Sequence, residues 1–140
     1  MIEKLFNSPT SMLLNKSMDT ASIRNTVIAD NIANINTPNF KRNEVIFEEK
    51  LQEALLNSNK SIEMYTTNKR HIFVQSDQNF CKLEPEIVEM NDISFRNDGN
   101  NVDIDVESAR LAKNKLFYDS LTQSMTNEFK LLRLAITGRG

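Results

Sequence analysis

The chain has 140 residues, of which 39% are apolar, and its 17 Lys and Arg against 19 Asp and Glu give a net charge of -2. This length suits about one domain, and the charge gives no electrostatic reason to expect DNA, RNA or an anionic membrane as a partner. Three Gly, three Pro and no Trp favour helices over a β-sandwich, which needs many tight turns. The single cysteine, Cys81, excludes an internal disulfide.

The N-terminal sequence predicts one long helix from about Thr10 to Ile35, with capping residues at 8–11 (SPTS) and a stop at Pro38. A narrow stripe recurs at steps of four and three residues, the spacing of a coiled-coil seam. Its members are Leu14, Met18, Ala21, Asn25, Ile28, Ile32 and Ile35. No run of residues approaches the roughly 18 apolar residues of a membrane span. Polar residues also interrupt the first 16, so we expect no cleaved signal peptide.

Asparagines crowd the end of this helix, in the stretch "ADNIANINTPNFKRN" at residues 29–43. Amides beside a helix–helix seam can set register and partner choice at a cost in stability. We hypothesise that Asn31, Asn34 and Asn36 bond neighbouring helices and backbone and so fix the register. Alternatively, these residues face solvent and simply end the helix. The residues Thr37-Pro38-Asn39-Phe40 then predict a type II turn with Asn39 in the left-handed conformation.

The middle of the chain carries weaker signals. Residues 45–56 predict a short amphipathic helix with Phe47, Leu51, Leu55 and Leu56 on one side. Residues 71–74 (HIFV) predict a short strand after a flexible loop at 57–61. We therefore divide the chain into an N-terminal part at 1–56, a variable middle at 57–96 and a C-terminal part at 97–140.

The C-terminal part predicts a second long helix, from about Val102 to Thr137. A turn and cap cluster at 97–101 precedes it, and acidic residues at 103, 105 and 107 suit the positive end of the helix dipole. Its apolar stripe consists of Leu111, Tyr118, Leu121, Met125, Phe129, Leu132 and Ile136. The predicted fold is mainly α, with long terminal helices that pair as a coiled coil around a small irregular or short-β middle. Because narrow seams need partners, the pattern predicts assembly.

The residues that could carry chemistry do not form a recognisable site. His71 has no second histidine or neighbouring cysteine with which to bind a metal. The stretch 97–107 (NDGNNVDIDVE) resembles a calcium loop superficially, but Gly99 falls second from Asp98 instead of sixth. It is better read as a turn followed by a helix cap. We therefore expect no metal, no cofactor and no enzymatic activity.

Two separate stretches resemble one known family. Residues 31–42 (NIANINTPNFKR) resemble the N-terminal signature of the flagellar rod, hook and filament-junction proteins, with Asn39 in place of a usual Gly and Phe40 in place of a usual Tyr. The turn at 99–103 (GNNVD), with Glu107, Asn114 and Tyr118, resembles the C-terminal end of the same family. The resemblance spans roughly residues 5–56 and 95–137.

This resemblance implies a structural subunit of the proximal rod, in the periplasmic part of the flagellar basal body. It implies terminal helices that pair and pack against neighbours, and export through the flagellar type III channel without a cleaved signal. The implied partners are the rod subunits FlgC, FlgF and FlgG, the rod-base adaptor FliE, the MS ring and the export gate. Phe47 and Leu51 match the Phe-x-x-x-apolar element read at that gate, although they could simply be helix neighbours at i and i+4.

The assembly interface is expected to include seam residues of both helices and the Asn and Thr-Pro turn. These residues are Leu14, Met18, Ile28, Asn31, Ile32, Asn34, Asn36, Thr37, Pro38, Phe40, Asn101, Leu121, Met125 and Leu132. One alternative is FlgC or another axial protein, although an insertion that FlgC carries before the Pro turn is missing here. The other is a coiled-coil chaperone or adaptor of a secretion system, which should be a discrete folded dimer.

Overall fold

The computed structural model describes residues 9–59, 83–91 and 96–138. These residues form helix α1, strand β1, helix α2, strand β2 and helix α3 in chain order. The bounds are Pro9–Ala33, Asn43–Ile46, Glu48–Asn59, Glu86–Glu89 and Ile104–Thr137. The predicted fold class, mainly helical with long terminal helices and a small β element, is confirmed. The strand predicted at 71–74, His71 and Cys81 lie outside the described residues.

The two long helices pack against each other in antiparallel fashion. Near one end, the Thr10 hydroxyl donates to Glu128 Oε1 at 3.2 Å. Further along α1, the Ala21 carbonyl accepts from Asn114 Nδ2 at 2.8 Å. Near the other end, an Asn31–Glu107 contact joins the helices. Partner numbers on α3 fall as those on α1 rise, so the pairing predicted for the terminal helices is present.

The buried stripe of α1 is offset by about one residue from the predicted one. Asn25, expected on the seam, is exposed, whereas Asn31, expected beside it, is fully buried. The buried residues of α1 are Ser17, Thr20, Ala21, Val27, Ile28 and Asn31. The prediction followed a strict four–three spacing, which placed Asn25 on the seam and missed Ser17, Thr20 and Asn31. Small side chains let two helix backbones approach closely, and a buried amide is tolerated where it is hydrogen-bonded.

The middle of the chain forms a two-stranded antiparallel sheet. Val45 lies opposite Ile87, and Ile46 lies opposite Glu86. The prediction that a helix begins at residue 45 was wrong, because the β-branched pair Val45-Ile46 finds a cross-strand partner in β2. Helix α2 begins at Glu48 instead and runs to residue 59, three residues past the predicted end.

Helix α3 begins and ends with recognisable caps. Asp103 has φ -110° and ψ 121°, and its carboxylate accepts from the backbone N–H groups of Asp105 at 2.9 Å and Val106 at 3.4 Å. At the other end, Gly138 adopts φ 64° and donates its N–H to the Leu134 carbonyl at 2.8 Å. The interpretation of 97–107 as a turn followed by a cap is confirmed. Within the ranges described, no helix has the length and apolarity that crossing a membrane requires.

Candidate functional site

The segment that follows α1 meets the segment that precedes α3, and four asparagines hold them together. We call Asn31, Asn39, Asn100 and Asn101 the asparagine clasp. Their partners are mainly backbone groups of distant residues. Asn31, Asn100 and Asn101 reach them through the side-chain amide and Asn39 through its backbone N–H, and these bonds replace ones that a loop would otherwise make with water.

Asn100 holds the turn at 34–37 that follows α1, although it is more than 60 residues away in the chain. Its side chain is completely buried. Its Nδ2 donates to the carbonyls of Asn34 at 3.0 Å, Ile35 at 3.1 Å and Thr37 at 2.9 Å. Its Oδ1 accepts from the Val102 N–H at 2.7 Å. These carbonyls belong to the turn at 34–37 that follows α1, so this one amide satisfies backbone groups that the turn would otherwise leave to water.

Asn101 links the same turn to the sheet. Its Oδ1 accepts from the Arg42 N–H at 2.8 Å, and its Nδ2 donates to the Met90 carbonyl at 2.7 Å. Met90 in turn donates its N–H to the Arg42 carbonyl at 2.8 Å. The Asn101 amide therefore bridges the two segments that continue β1 and β2, at a point where a direct bond between the strands would otherwise form.

Asn31 joins α1 to β1 and to α3. Its Oδ1 accepts from the Asn43 N–H at 3.0 Å, and its Nδ2 donates to the Asn43 carbonyl at 2.8 Å. The same Nδ2 lies 3.1 Å from Glu107 Oε2. Asn31 has no exposed surface, and these bonds give both polar atoms of its side chain a partner. Moving β1 relative to α1 would break them, so the amide fixes the position of the strand against the helix.

Glu107 is a buried carboxylate at the centre of an ionic cluster. It is 1% exposed, and its Oε1 lies 3.3 Å from Arg110 Nη1 and 3.7 Å from Arg42 Nη1. Glu44 contacts both arginines, at 3.0 Å and 3.4 Å. A buried charge persists only where opposite charges and hydrogen bonds compensate its lost hydration. The cluster therefore connects α3 to β1, and it is stable only while all of its charges stay paired.

The predicted turn at residues 37–40 packs on Gly99. Asn39 has φ 61°, and the Phe40 N–H donates to the Thr37 carbonyl at 3.4 Å, so the expected left-handed residue is confirmed. The Asn39 N–H also donates to the Asp98 carbonyl at 2.9 Å. Gly99 itself has φ 74°, and a Cβ added there would meet Asn39 Oδ1 at 2.9 Å. Two residues with left-handed backbone conformation, 60 positions apart in the chain, are thus in contact.

Replacing Gly99 by alanine should lower the free energy of unfolding by about 1–3 kcal/mol, from left-handed strain and from the close approach to Asn39. Gly138→Ala is the matched control, since Gly138 is also left-handed (φ 64°) but has nothing within 4 Å of the added Cβ. Urea unfolding followed by circular dichroism measures both. Equal losses in the two variants would show that the contact with Asn39 is unimportant.

Asp98 makes stability depend on acid pH. The Arg96 guanidinium, with Nη2 at 2.7 Å, and then the Asn100 N–H at 3.1 Å lower the pKa of this carboxyl below its usual value. The folded pKa is below the unfolded one, so the stabilisation is complete above about pH 4 and is lost as pH falls through the lower folded pKa. Urea midpoints between pH 2 and 5 should fall less steeply in Asp98→Asn than in the wild type. Parallel curves would contradict this.

The seam of α3 changes character along its length. Glu107, Asn114 and Leu121 are buried at intervals of seven residues, and Met125 follows. The Asn114 amide donates to α1, but its buried Oδ1 accepts no hydrogen bond from the part of the chain that is described. The seam is therefore polar beside the clasp and apolar farther away, which disfavours a register shift that would place an amide among apolar side chains.

The predicted interface residues occupy different environments within this chain. The buried ones are Ile28, Asn31, Leu121 and Met125; the half-buried ones are Leu14, Met18, Ile32, Asn34, Phe40, Asn101 and Leu132; and the exposed ones are Asn36, Thr37 and Pro38. Asn31 reaches α3 and β1, whereas the Asn34 side chain, within the described ranges, bonds locally to the Asp30 carbonyl and the Thr37 hydroxyl. Their contact with neighbouring subunits stays a prediction.

Sequence reasoning missed several residues of this site. Asn100 lay within a quoted motif but was treated only as part of a turn. Glu107 was assigned to the helix dipole, yet it is buried and paired with α1 and β1. The seven-residue spacing of Glu107, Asn114 and Leu121 would have predicted that these residues face α1, provided that polar residues are accepted at seam positions.

The comparisons with known proteins agree on one family. The family model described as "Flagella basal body rod protein" matches residues 17–41, which include Asn31 and the Thr-Pro turn. The chain is 35% identical to the flagellar basal body rod protein FlgB of Borreliella burgdorferi over 120 residues, which is 85% of this chain and 89% of that protein. It is 36% identical to FlgB of Borrelia hermsii over 125 residues, 89% of this chain and 93% of that protein.

A third relative covers still more of the chain. FlgB of Bacillus subtilis is 36% identical over 132 residues, which is 94% of this chain and 95% of that protein. These relatives are named as rod proteins and not as enzymes. The residues that the family model matches include Asn31 and Asn39 of the asparagine clasp but not Asn100 or Asn101. The chain belongs to the FlgB family of flagellar basal body rod proteins.

Proposed function

We propose that the chain is a structural subunit of the flagellar basal body rod, located in the proximal, periplasmic part of that rod. The observation that carries this proposal is the clasp, which joins the two family-like stretches of the chain into one structural unit. The relatives are named FlgB, which favours this assignment over FlgC or another axial protein. The proposed partners are FlgC, FlgF, FlgG, FliE and the MS ring.

Assembly through the terminal helices is supported by the surface of α3. This helix has 34 residues, whereas α1 has 25, and few α3 side chains are buried within the chain. Large apolar side chains instead remain exposed on several sides of it. They are Ile104, Val106, Leu111, Leu116, Phe117, Tyr118, Phe129, Leu131, Leu134 and Ile136. Exposed apolar surface of this extent is typical of interaction sites, and we propose that neighbouring subunits cover it as coiled-coil partners.

Deletion of the gene in a flagellated bacterium, followed by complementation with this chain, tests the proposal. We expect motility to return and the chain to be found in purified basal bodies. In vitro, mixing it with FlgC and FliE should increase helicity and sedimentation coefficient. A stable, fully helical dimer that ignores every rod subunit would instead favour a secretion chaperone and overturn the proposal.

Export is the second part of the proposed function, with Phe47 and Leu51 as the element read at the type III gate. Phe47 is 2% exposed, and its carbonyl accepts from the Leu51 N–H at 2.9 Å. A gate could therefore bind this aromatic ring only while the segment is unfolded. This order agrees with export of an unfolded chain without a cleaved signal.

Replacing Phe47 by alanine should reduce secretion about tenfold, the effect of losing about 1.4 kcal/mol of binding at the gate. The matched control is Val45→Ala, since Val45 is also buried at 4% exposure but lies outside the element. Both substitutions destabilise the folded chain, so a difference in secretion between the two variants reports recognition at the gate. Immunoblots of culture supernatants from a rod-deficient strain measure secretion. Equal secretion of the two variants would contradict the assignment of Phe47 and Leu51 as the element read at the gate.

A further inference from the structure

The two edges of the small sheet differ in what lies beside them. In an antiparallel pair, residues that bond across the ladder alternate with residues whose N–H and carbonyl groups point away from the partner strand. The Met90 N–H donates to the Arg42 carbonyl at 2.8 Å, and the same register continues along both strands. The residues whose backbone groups point outward are therefore Asn43 and Val45 on β1 and Ile87 and Glu89 on β2.

The outer edge of β1 is closed by α1. The Asn31 side chain bonds both the N–H and the carbonyl of Asn43, at 3.0 Å and 2.8 Å. The Arg24 guanidinium reaches the Val45 carbonyl at 3.4 Å. These bonds agree with the outward direction of the two residues of β1, and they occupy that edge with side chains of a helix. A further strand therefore has no place on this side of the sheet.

The outer edge of β2 is open. Within residues 9–59, 83–91 and 96–138, no hydrogen bond reaches the N–H or the carbonyl of Ile87 or Glu89. Both residues are exposed, Ile87 to 55%. An exposed strand edge is a template for another strand. Each residue presents one donor and one acceptor, so an added antiparallel strand gains two backbone hydrogen bonds at each position.

Pro85 limits this edge at its beginning. It lies two residues before Ile87 and therefore shares the outward position, but a proline has no N–H to donate. An added strand would lose a hydrogen bond opposite Pro85, so the useful part of the edge is confined to residues 87–89. Such a short edge suits a brief extended segment of a partner better than a long strand.

The edge is also acidic, because residues 84, 86 and 89 are glutamates. Glu86 is paired with Lys50, whereas Glu84 and Glu89 have no ion pair with a residue of the described ranges. These carboxylates oppose the pairing of β2 with β2 of a second copy, since like charges across a sheet are destabilising. They favour a strand that places a basic residue opposite Glu89.

The order of residues in β2 sets the order in its complement. On an antiparallel strand, the residue opposite Glu89 comes first, followed by those opposite Val88 and Ile87. Val88 is half-buried, and Ile87 is exposed. Opposite charges and pairs of β-branched side chains stabilise neighbouring strands. The complementary segment is therefore a lysine or arginine followed by two apolar, β-branched residues.

We propose that the outer edge of β2 binds an extended segment of a partner protein as a third, antiparallel strand. The backbone groups of Ile87 and Glu89 hold the segment, and its basic residue lies opposite Glu89. This contact requires a strand and not a helix. It therefore goes beyond the helix-mediated assembly proposed above and does not use the exposed apolar surface of α3.

Nuclear magnetic resonance of the full-length chain tests this proposal. The probe is a short synthetic peptide of threonines with a central lysine followed by two valines. Before it is added, the amides of Ile87 and Glu89 should exchange with solvent faster than the Val88 amide, which faces β1. Binding should slow exchange at residues 87 and 89. Binding that leaves their exchange unchanged would place the peptide elsewhere and overturn the proposal.

Two variants separate the charge from the backbone. Glu89→Lys should weaken binding of the lysine peptide about tenfold and should favour a peptide with glutamate in place of the lysine. Glu53→Lys is the matched control, since Glu53 is an exposed carboxylate on α2 and not on β2. Ile87→Pro removes an outward N–H but no bond of the β1–β2 ladder. It should abolish binding while the Val88 amide stays protected.

Three other outcomes would contradict the proposal. Equal affinity of the wild-type chain for the lysine and glutamate peptides would reject the charge complementarity. Failure of both peptides to bind would show that Pro85 and Glu89 only protect the edge. A concentration-dependent dimer in sedimentation velocity that Ile87→Pro abolishes would show that a second copy fills it. The motility of the complemented deletion strain tests the rod assignment separately, so each proposal can fail alone.

Discussion

Replacing Glu107 by alanine is expected to lower the free energy of unfolding by about 3–5 kcal/mol, the usual effect of removing one partner from a buried ion pair. The change leaves Arg42, which is 8% exposed, without its buried counter-charge and leaves the Asn31 amide with an unfilled donor position. It also creates space where the carboxylate was. Urea unfolding at pH 7, followed by far-UV circular dichroism, measures the loss.

Asp105→Ala is the matched control for this change. Asp105 is an exposed acidic residue in the first turn of the same helix, and its backbone cap bond to Asp103 survives the substitution. We expect it to cost less than about 1 kcal/mol, from the helix dipole alone. If Glu107→Ala cost no more than the control, the ionic cluster would have no structural role.

Replacing Asn100 by alanine is the second large effect that we expect, with a loss of about 2–4 kcal/mol in the free energy of unfolding. The substitution leaves three carbonyls of the turn after α1 and the Val102 N–H without their buried partner, and each unsatisfied group costs about 1–3 kcal/mol before relaxation. Chemical denaturation measures the loss, and hydrogen exchange should show faster exchange of the Val102 amide and of the amides in the turn at 34–37.

Two further variants sharpen this measurement. Asn97→Ala changes an exposed asparagine in the same turn and should be close to neutral. Asn100→Asp keeps an acceptor for Val102 but places a carboxylate against three carbonyls, so we expect it to be at least as destabilising as alanine. An aspartate variant with wild-type stability would show that donation from residue 100 to the turn after α1 does not matter.

The sequence was sufficient for those parts of the fold that follow from local chemistry. The Pro38 stop, the Asp103 cap, the left-handed Asn39 and the two long helices each depend on residues close together in the chain. Periodicity also identified Ile28, Leu121 and Met125, which are buried. These features need no knowledge of what lies across the fold.

The remaining features depend on contacts between distant residues. Val45-Ile46 becomes a strand because β2 lies beside it, and the partner of a strand cannot be read from its own residues. Asn25 and Asn31 are chemically identical, but one is exposed and the other is buried because only Asn31 faces Asn43 and Glu107. Glu107 looked like a surface acid because burial of a carboxylate is uncommon unless paired.

The bonds of Asn100 to the turn after α1 also impose an order of events on folding. They close loops of 63 to 66 residues, and loops of that length form slowly because chain entropy opposes them. When the chain emerges N-terminus first from a ribosome or from a channel, the turn at 34–37 lacks these bonds until more than half of the remaining sequence has followed. Fixing the exit of the N-terminal helix is therefore a late step that waits for the C-terminal third.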